Sequence, residues 1–143
     1  MMNMLILSII GKSKSGKTTL IEKLIPELNS RGLRVGTVKH AHHGFEIDHP
    51  GKDSFRHREA GAEIVVLSSK DKIAMQRNIQ EETSLNEIIQ TYFPNDLDLV
   101  LVEGYKDEPG FKIELGTDKD MGVKEAADFI ESKLLLNKKE MLK

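Results

Sequence analysis

From residue 11 to residue 19 the chain reads Gly11, Lys12, Ser13, Lys14, Ser15, Gly16, Lys17, Thr18, Thr19, directly behind the apolar run Leu5-Ile6-Leu7-Ser8-Ile9-Ile10. Glycine, four residues and then Gly-Lys-Thr is the spacing of a phosphate-cradling loop set between a buried strand and a helix. Gly11 and Gly16 permit backbone angles closed to residues with a Cβ, so successive N–H groups can line one concave nest. That nest opens a helix whose N-terminal partial charge and free N–H groups hold phosphate oxygens. On a nucleoside triphosphate, Lys17 would meet the β- and γ-phosphates as a point charge. The Thr18 hydroxyl would join the shell of a Mg²⁺ ion.

A second candidate closes the most hydrophobic stretch of the chain, Leu99-Val100-Leu101-Val102-Glu103-Gly104. A carboxylate at the end of a strand beside the phosphate-loop strand is placed to bind Mg²⁺ directly or through water; the alternative is a solvated strand-end acid. Hydrolysis at such a site would use an in-line water, Mg²⁺ on Thr18 and Glu103, and Lys17 on the charge developing at the γ-phosphate. Asp98, just ahead of this strand, reads as a turn residue. The segment 39–58 holds all five histidines. An imidazole cluster suits a transition metal, and a polar loop lining a nucleotide pocket suits the same composition. The segment has no cysteine and no helical H-x-x-x-H pair. Asp48 is its candidate for Mg²⁺, because the loop after the second strand of such a fold faces the phosphates. Asp53 suits a helix cap as well as a site.

The elements that must position these groups alternate. Strands are expected over 4–10, 33–39, 64–67, 73–76, 97–102 and 111–115. The first helix spans 16–30, with Leu20, Ile21, Leu24, Ile25 and Leu28 on one face; Pro26 should kink it or loosen its last turns, and Gly32 stops it. Asp53 or Ser54 caps a short helix ending near Gly61. Ser84-Leu85-Asn86-Glu87 has capping-box spacing and opens a third helix closed by Pro94. A final helix covers 123–136, with Ala126, Phe129, Ile130, Lys133 and Leu134 near one face. The alternation implies an α/β fold of phosphate-loop type: a doubly wound, mainly parallel sheet with helices on both faces, forming a single domain over 1–143. Its ligand lies at the carboxyl ends of the strands.

Composition sets the outer limits. With 143 residues, 38% hydrophobic and 31% charged, there is room for one sizeable core. Zero cysteines exclude disulfides and fit a reducing, cytoplasmic setting. A formal charge of −2 argues against a general nucleic-acid binder. The apolar run before Lys12 is too short for a signal peptide or a membrane span.

Four stretches together resemble the molybdopterin-guanine dinucleotide biosynthesis protein B family, MobB: the loop with its helix through Leu24-Ile25-Pro26, Arg31-Gly32-Leu33-Arg34-Val35-Gly36-Thr37-Val38-Lys39-His40, the segment from Phe45 to Ala62, and Asp98 to Lys106. The resemblance covers about residues 4–115. It implies a GTP-binding protein with weak GTPase activity, usually a homodimer, that assists the guanylyltransferase attaching GMP to Mo-molybdopterin. By position it implies phosphate binding on residues 11–19, the strand-end acid on Glu103, and Lys39, His40, Asp48, Lys52, Asp53 and Lys106 as pocket residues. Two departures accompany it. Gly116-Thr117-Asp118 leads almost at once into the last helix, where the family continues through another strand; such folds often contact the purine there, which leaves guanine against adenine open. Lys12 with Lys17 also matches G-K-x-x-x-G-K-T-T, the loop of dimer-switching ATPases whose first lysine reaches the partner's nucleotide. Those proteins carry glycine at the positions of Ser13 and Lys14, so Lys12 reads as loop variation. Three further classes compete: a nickel-metallochaperone GTPase, a ligase similar to dethiobiotin synthetase with its V-E-G strand end, and a non-catalytic adaptor.

Overall fold

Alternation along β1 (Leu5–Ile10) assigns the two faces of the larger sheet. Leu5, Leu7 and Ile9 face a core shared with α1 (Lys17–Ser30) and α4 (Val123–Met141), where Leu24, Leu28, Ala126, Ala127 and Ile130 are fully buried. Met4 and Ile6 face a second core with Ile89 of α3 (Leu85–Tyr92). Helices therefore cover both faces of the sheet. The computed structural model describes residues 4–48 and 50–141; His49 of the histidine-rich segment lies outside them.

The sheet has the order β2 (Val35–Lys39), β5 (Leu99–Glu103), β1, β6 (Phe111–Glu114), and every neighbouring pair is parallel. This is the expected doubly wound arrangement. The four apolar residues of β5 are completely buried, as a strand packed on both faces requires. Burying each such side chain contributes about 1.5–3 kcal/mol against leaving it in water.

Several boundaries differ from those expected, each for a local reason. The second strand starts at Val35 rather than residue 33, because Leu33 N–H closes helix α1 on the Leu28 carbonyl and Arg34 N–H donates to the Asp98 carboxylate at 2.7 Å. Asp98 is thus the turn residue foreseen, and β5 begins after it. Helix α1 continues past Pro26 to Ser30, and Gly32 at φ +80° ends it. Arg31, bonded to Glu27, Asp128 and Glu131, ties that end to α4, and these carboxylates raise its pKa further. Helix α4 runs five residues beyond the expected 136. Lys133 sits on its apolar face because the ammonium lies 5.1 Å and 5.0 Å over the rings of Phe111 and Phe129.

Residues up to His40 and from Leu85 onward form one compact unit; Ala41–Ser84 form a second. In the second, β3 (Ile64–Ser68) and β4 (Ile73–Arg77) pair antiparallel as a separate two-stranded sheet, preceded by α2 (Asp53–Glu59). Neither Asp53 nor Ser54 caps α2. The cap position is Lys52, which makes no side-chain cap bond; Asp53 stands in the first turn, and the Ser54 hydroxyl is committed to Asp48.

Candidate functional site

The loop after β1 is shaped by three residues in the positive-φ region: Gly11 at +150°, Lys14 at +64° and Gly16 at +96°. Ser15 N–H closes a turn onto the Lys12 carbonyl at 3.1 Å. A Cβ on Gly11 would stand 2.6 Å from Ser15 Oγ and 2.8 Å from the Leu115 carbonyl oxygen, so only glycine fits beneath the loop. Ser15 Oγ is buried with no hydrogen-bond partner. The N-terminus of α1 has no side-chain cap and no acid in its first turn, which leaves its N–H groups to an anion. Lys17 crosses the loop and donates from Nζ to the Gly11 carbonyl at 2.7 Å. Lys12, Ser13, Lys14 and Thr19 are exposed along the loop.

Register brings Glu103 to this loop. It stands opposite Ile9 on β1 and Lys39 on β2. Thr18 Oγ1 donates to Glu103 Oε1 at 2.6 Å, and Lys39 Nζ lies 3.9 Å from the same oxygen. The two strand-end residues differ in freedom: the Glu103 side chain is 12% exposed and that of Lys39 is 65% exposed. Gly104, at φ +99°, returns its N–H to the Ile9 carbonyl. His40 donates its N–H to the Glu103 carbonyl, and its ring lies 4.6 Å from that of Tyr105.

A hydroxyl and a carboxylate in direct contact beside the uncapped start of α1 offer an all-oxygen donor set to a hard cation. Mg²⁺ suits it, because that ion keeps several waters and takes few protein ligands. The buried Ser15 hydroxyl and the Gly11 cradle fit a phosphate chain in the same way. Among the described residues no group of three or more His, Asp or Glu could hold a metal, so the exposed His42 and His43 join no such cluster.

Of the other expected pocket residues, Asp48, Lys52 and Asp53 belong to the second unit and Lys106 to the first. Asp48 Oδ1 accepts the Ser54 hydroxyl at 2.9 Å, and its Oδ2 is buried without a partner. Asp48 lines a cavity of about 750 Å³ with Phe55, Arg58 and Asn78; Arg58 pairs with Glu46 at 3.0 Å and lies 5.4 Å over the Phe55 ring. Lys52 and Asp53 are exposed at the start of α2, and Lys106 is exposed on the connection between β5 and β6. The bond joining Thr18 to Glu103 was not foreseen from the sequence. Its only signal there was the strand order that a phosphate-loop fold implies.

The chain matches the family model described as MobB, Molybdopterin guanine dinucleotide synthesis protein B, over residues 6–133. It is 47% identical over 108 residues to the molybdopterin-guanine dinucleotide biosynthesis adapter protein of Haemophilus influenzae, covering 76% of this chain and 61% of that one. Against the Escherichia coli adapter protein of the same description it is 42% identical over 115 residues, covering 79% and 66%. It therefore spans less than two thirds of the length of these curated relatives. A crystal structure of molybdopterin-guanine biosynthesis protein B superposes with a TM-score of 0.70 at 34% identity, covering 91% of this chain and 99% of that one.

Proposed function

Because the chain belongs to the family of molybdopterin guanine dinucleotide synthesis protein B, we propose that it is a GTP-binding adapter in the assembly of that dinucleotide, working in the cytoplasm as a homodimer. Its partners in this reading are the guanylyltransferase and Mo-molybdopterin, and it hydrolyses GTP slowly. One observation carries the nucleotide part: the 2.6 Å bond from Thr18 to Glu103 beside a loop whose Gly11 has no room for a Cβ.

The roles of the residues follow from their chemistry. The N–H groups of residues 11–19 cradle the phosphates. Lys17 exchanges the Gly11 carbonyl for phosphate oxygens, which bear more negative charge. Thr18 and Glu103 would hold Mg²⁺, which when bound neutralises charge on the phosphates. In this reading Glu103 also orients a water through its second oxygen. These site residues include no arginine or glutamine, in keeping with slow turnover.

The homodimer has separate support. Ile64, Val66, Ile73 and Met75 lie on one face of the β3–β4 hairpin and are all at least 40% exposed. A two-stranded sheet is marginal by itself, and a contiguous apolar surface of this kind marks an association site. A second copy of the chain would supply both an edge to pair with and apolar cover.

Titration calorimetry with GTP, ATP and Lys17→Ala tests the nucleotide reading. Lys17→Ala should weaken GTP binding by about 2–3 kcal/mol, the range of a charged hydrogen bond, while folding survives. Unchanged GTP affinity would overturn the assignment. Tighter binding of ATP than of GTP would move the chain toward the dimer-switching ATPases.

A further inference from the structure

The two lysines near the phosphate loop are held differently. Lys17 is half-buried, and its ammonium is fixed to a carbonyl of the loop itself. Lys39 leaves the carboxyl end of β2, opposite Glu103, on a mostly exposed stem. It pairs with the Glu103 carboxylate at 3.9 Å, the far edge of an ion pair and a weak tether in water. Glu103 in turn is fixed by burial and by Thr18.

We propose that Lys39 is the residue by which this site distinguishes a nucleoside triphosphate from a diphosphate. The inference rests on the nucleotide-binding reading above. Glu103 holds Lys39 by its negative charge alone. Once Glu103 shares that charge with a hard dication, its hold on the ammonium weakens, and Lys39 turns toward the nearest remaining anion. With a triphosphate that anion is the terminal phosphate, within reach of a flexible four-carbon stem carrying three donors. With a diphosphate it is missing, and Lys39 stays beside Glu103. Lys39 thereby supplies from within the chain a cation for which the site has no arginine. It is a specificity-determining residue acting on binding.

The test is calorimetric binding of Mg²⁺-GDP and of a Mg²⁺-bound non-hydrolysable GTP analogue to the parent, Lys39→Gln, Lys39→Arg and Lys17→Ala. Lys39→Gln should lower the triphosphate-to-diphosphate affinity ratio about tenfold, the effect of one charge-assisted contact, with GDP affinity within about twofold of the parent. Lys39→Arg keeps the charge and should restore most of the ratio. An unchanged ratio in Lys39→Gln, or an equal fall for both nucleotides, overturns the proposal. Lys17→Ala separates the two readings. If it alters neither nucleotide, the phosphate-site assignment itself fails; if it weakens both while the Lys39→Gln ratio stays constant, only the role of Lys39 fails.

Discussion

The larger unit and the segment Ala41–Ser84 solve the burial of a sheet in opposite ways. In the first, β5 lies between β2 and β1 under helices on both faces, and its four apolar residues are sealed from water. In the second, two strands of similar composition form a hairpin in which only Val65 is buried, while Ile73 remains 73% exposed. Hydrophobicity alone did not decide burial. What decided it was the number of neighbours the topology supplies: two strands and two helical layers for β5, one strand and the short helix α2 for β3. The first unit therefore seals its central strand on both faces, and the second leaves apolar side chains at the surface.

The sharpest break of this contrast is a pair of truncations. Leu101→Ala removes a fully buried side chain of β5 and should cost about 3–4 kcal/mol in chemical denaturation, within the range for core leucines. Ile73→Ala should stay within about 0.5 kcal/mol in dilute protein. Similar losses at the two positions would mean that the hairpin is covered within the chain.

Charge placed on the hairpin sharpens the second half of the comparison. Val66→Glu adds a carboxylate to the exposed apolar surface opposite Met75. It should raise the dimer dissociation constant by at least about thirtyfold, on the order of 2 kcal/mol, in sedimentation equilibrium. GTP affinity should be retained.

Gly11→Ala probes the first unit at its tightest point. The added methyl meets a backbone carbonyl at 2.8 Å, so the loop must shift, at a cost of about 1–3 kcal/mol in stability with a parallel loss of phosphate affinity. Gly44→Ala is the matched control in the second unit. A Cβ there meets open space, so only the strain of φ +77° is felt.

The smallest expected effect is a pH dependence in the first unit. Asp120 accepts the N–H groups of Thr117 and Gly116, and these bonds hold its carboxyl below the usual carboxylate range. A depressed folded pKa stabilises the protein above the unfolded value near 3.9, and that contribution is lost as pH falls through the folded value. Asp120→Asn should thus differ from the parent in thermal stability at pH 7 and converge with it as pH falls through the depressed folded value. A constant difference across that range would show that the carboxylate charge plays no part.

Much of this architecture was legible because its signals are local. The turn of residues 11–19 is set by two glycines and Lys-Thr at fixed spacing, and the buried strand by an unbroken apolar run. The hairpin was less legible. Residues 64–67 and 73–76 read correctly as strands, but nothing in their pattern separates a strand added to the main sheet from one in a sheet of its own. Gly36 shows another limit. It sits at an ordinary strand position, yet a Cβ there would stand 2.7 Å from the Phe93 ring, a contact made across 57 residues of sequence. The helix cap was misplaced because Ser54 has the right chemistry for a cap but a better partner in Asp48. At the site, Glu103 was identifiable by type and place. Its contacts with Thr18 and Lys39 depend on strand order and register, which spacing alone does not carry.

Amide hydrogen exchange followed across both units, with and without a Mg²⁺-bound GTP analogue, tests the central claim most directly. Residues 11–19 and the amides of Glu103 and Gly104 should exchange at least about tenfold more slowly with the nucleotide, while the paired strands Ile64–Ser68 and Ile73–Arg77 keep their rates at fixed dimer concentration. Unchanged exchange over residues 11–19 under saturating nucleotide would contradict the account.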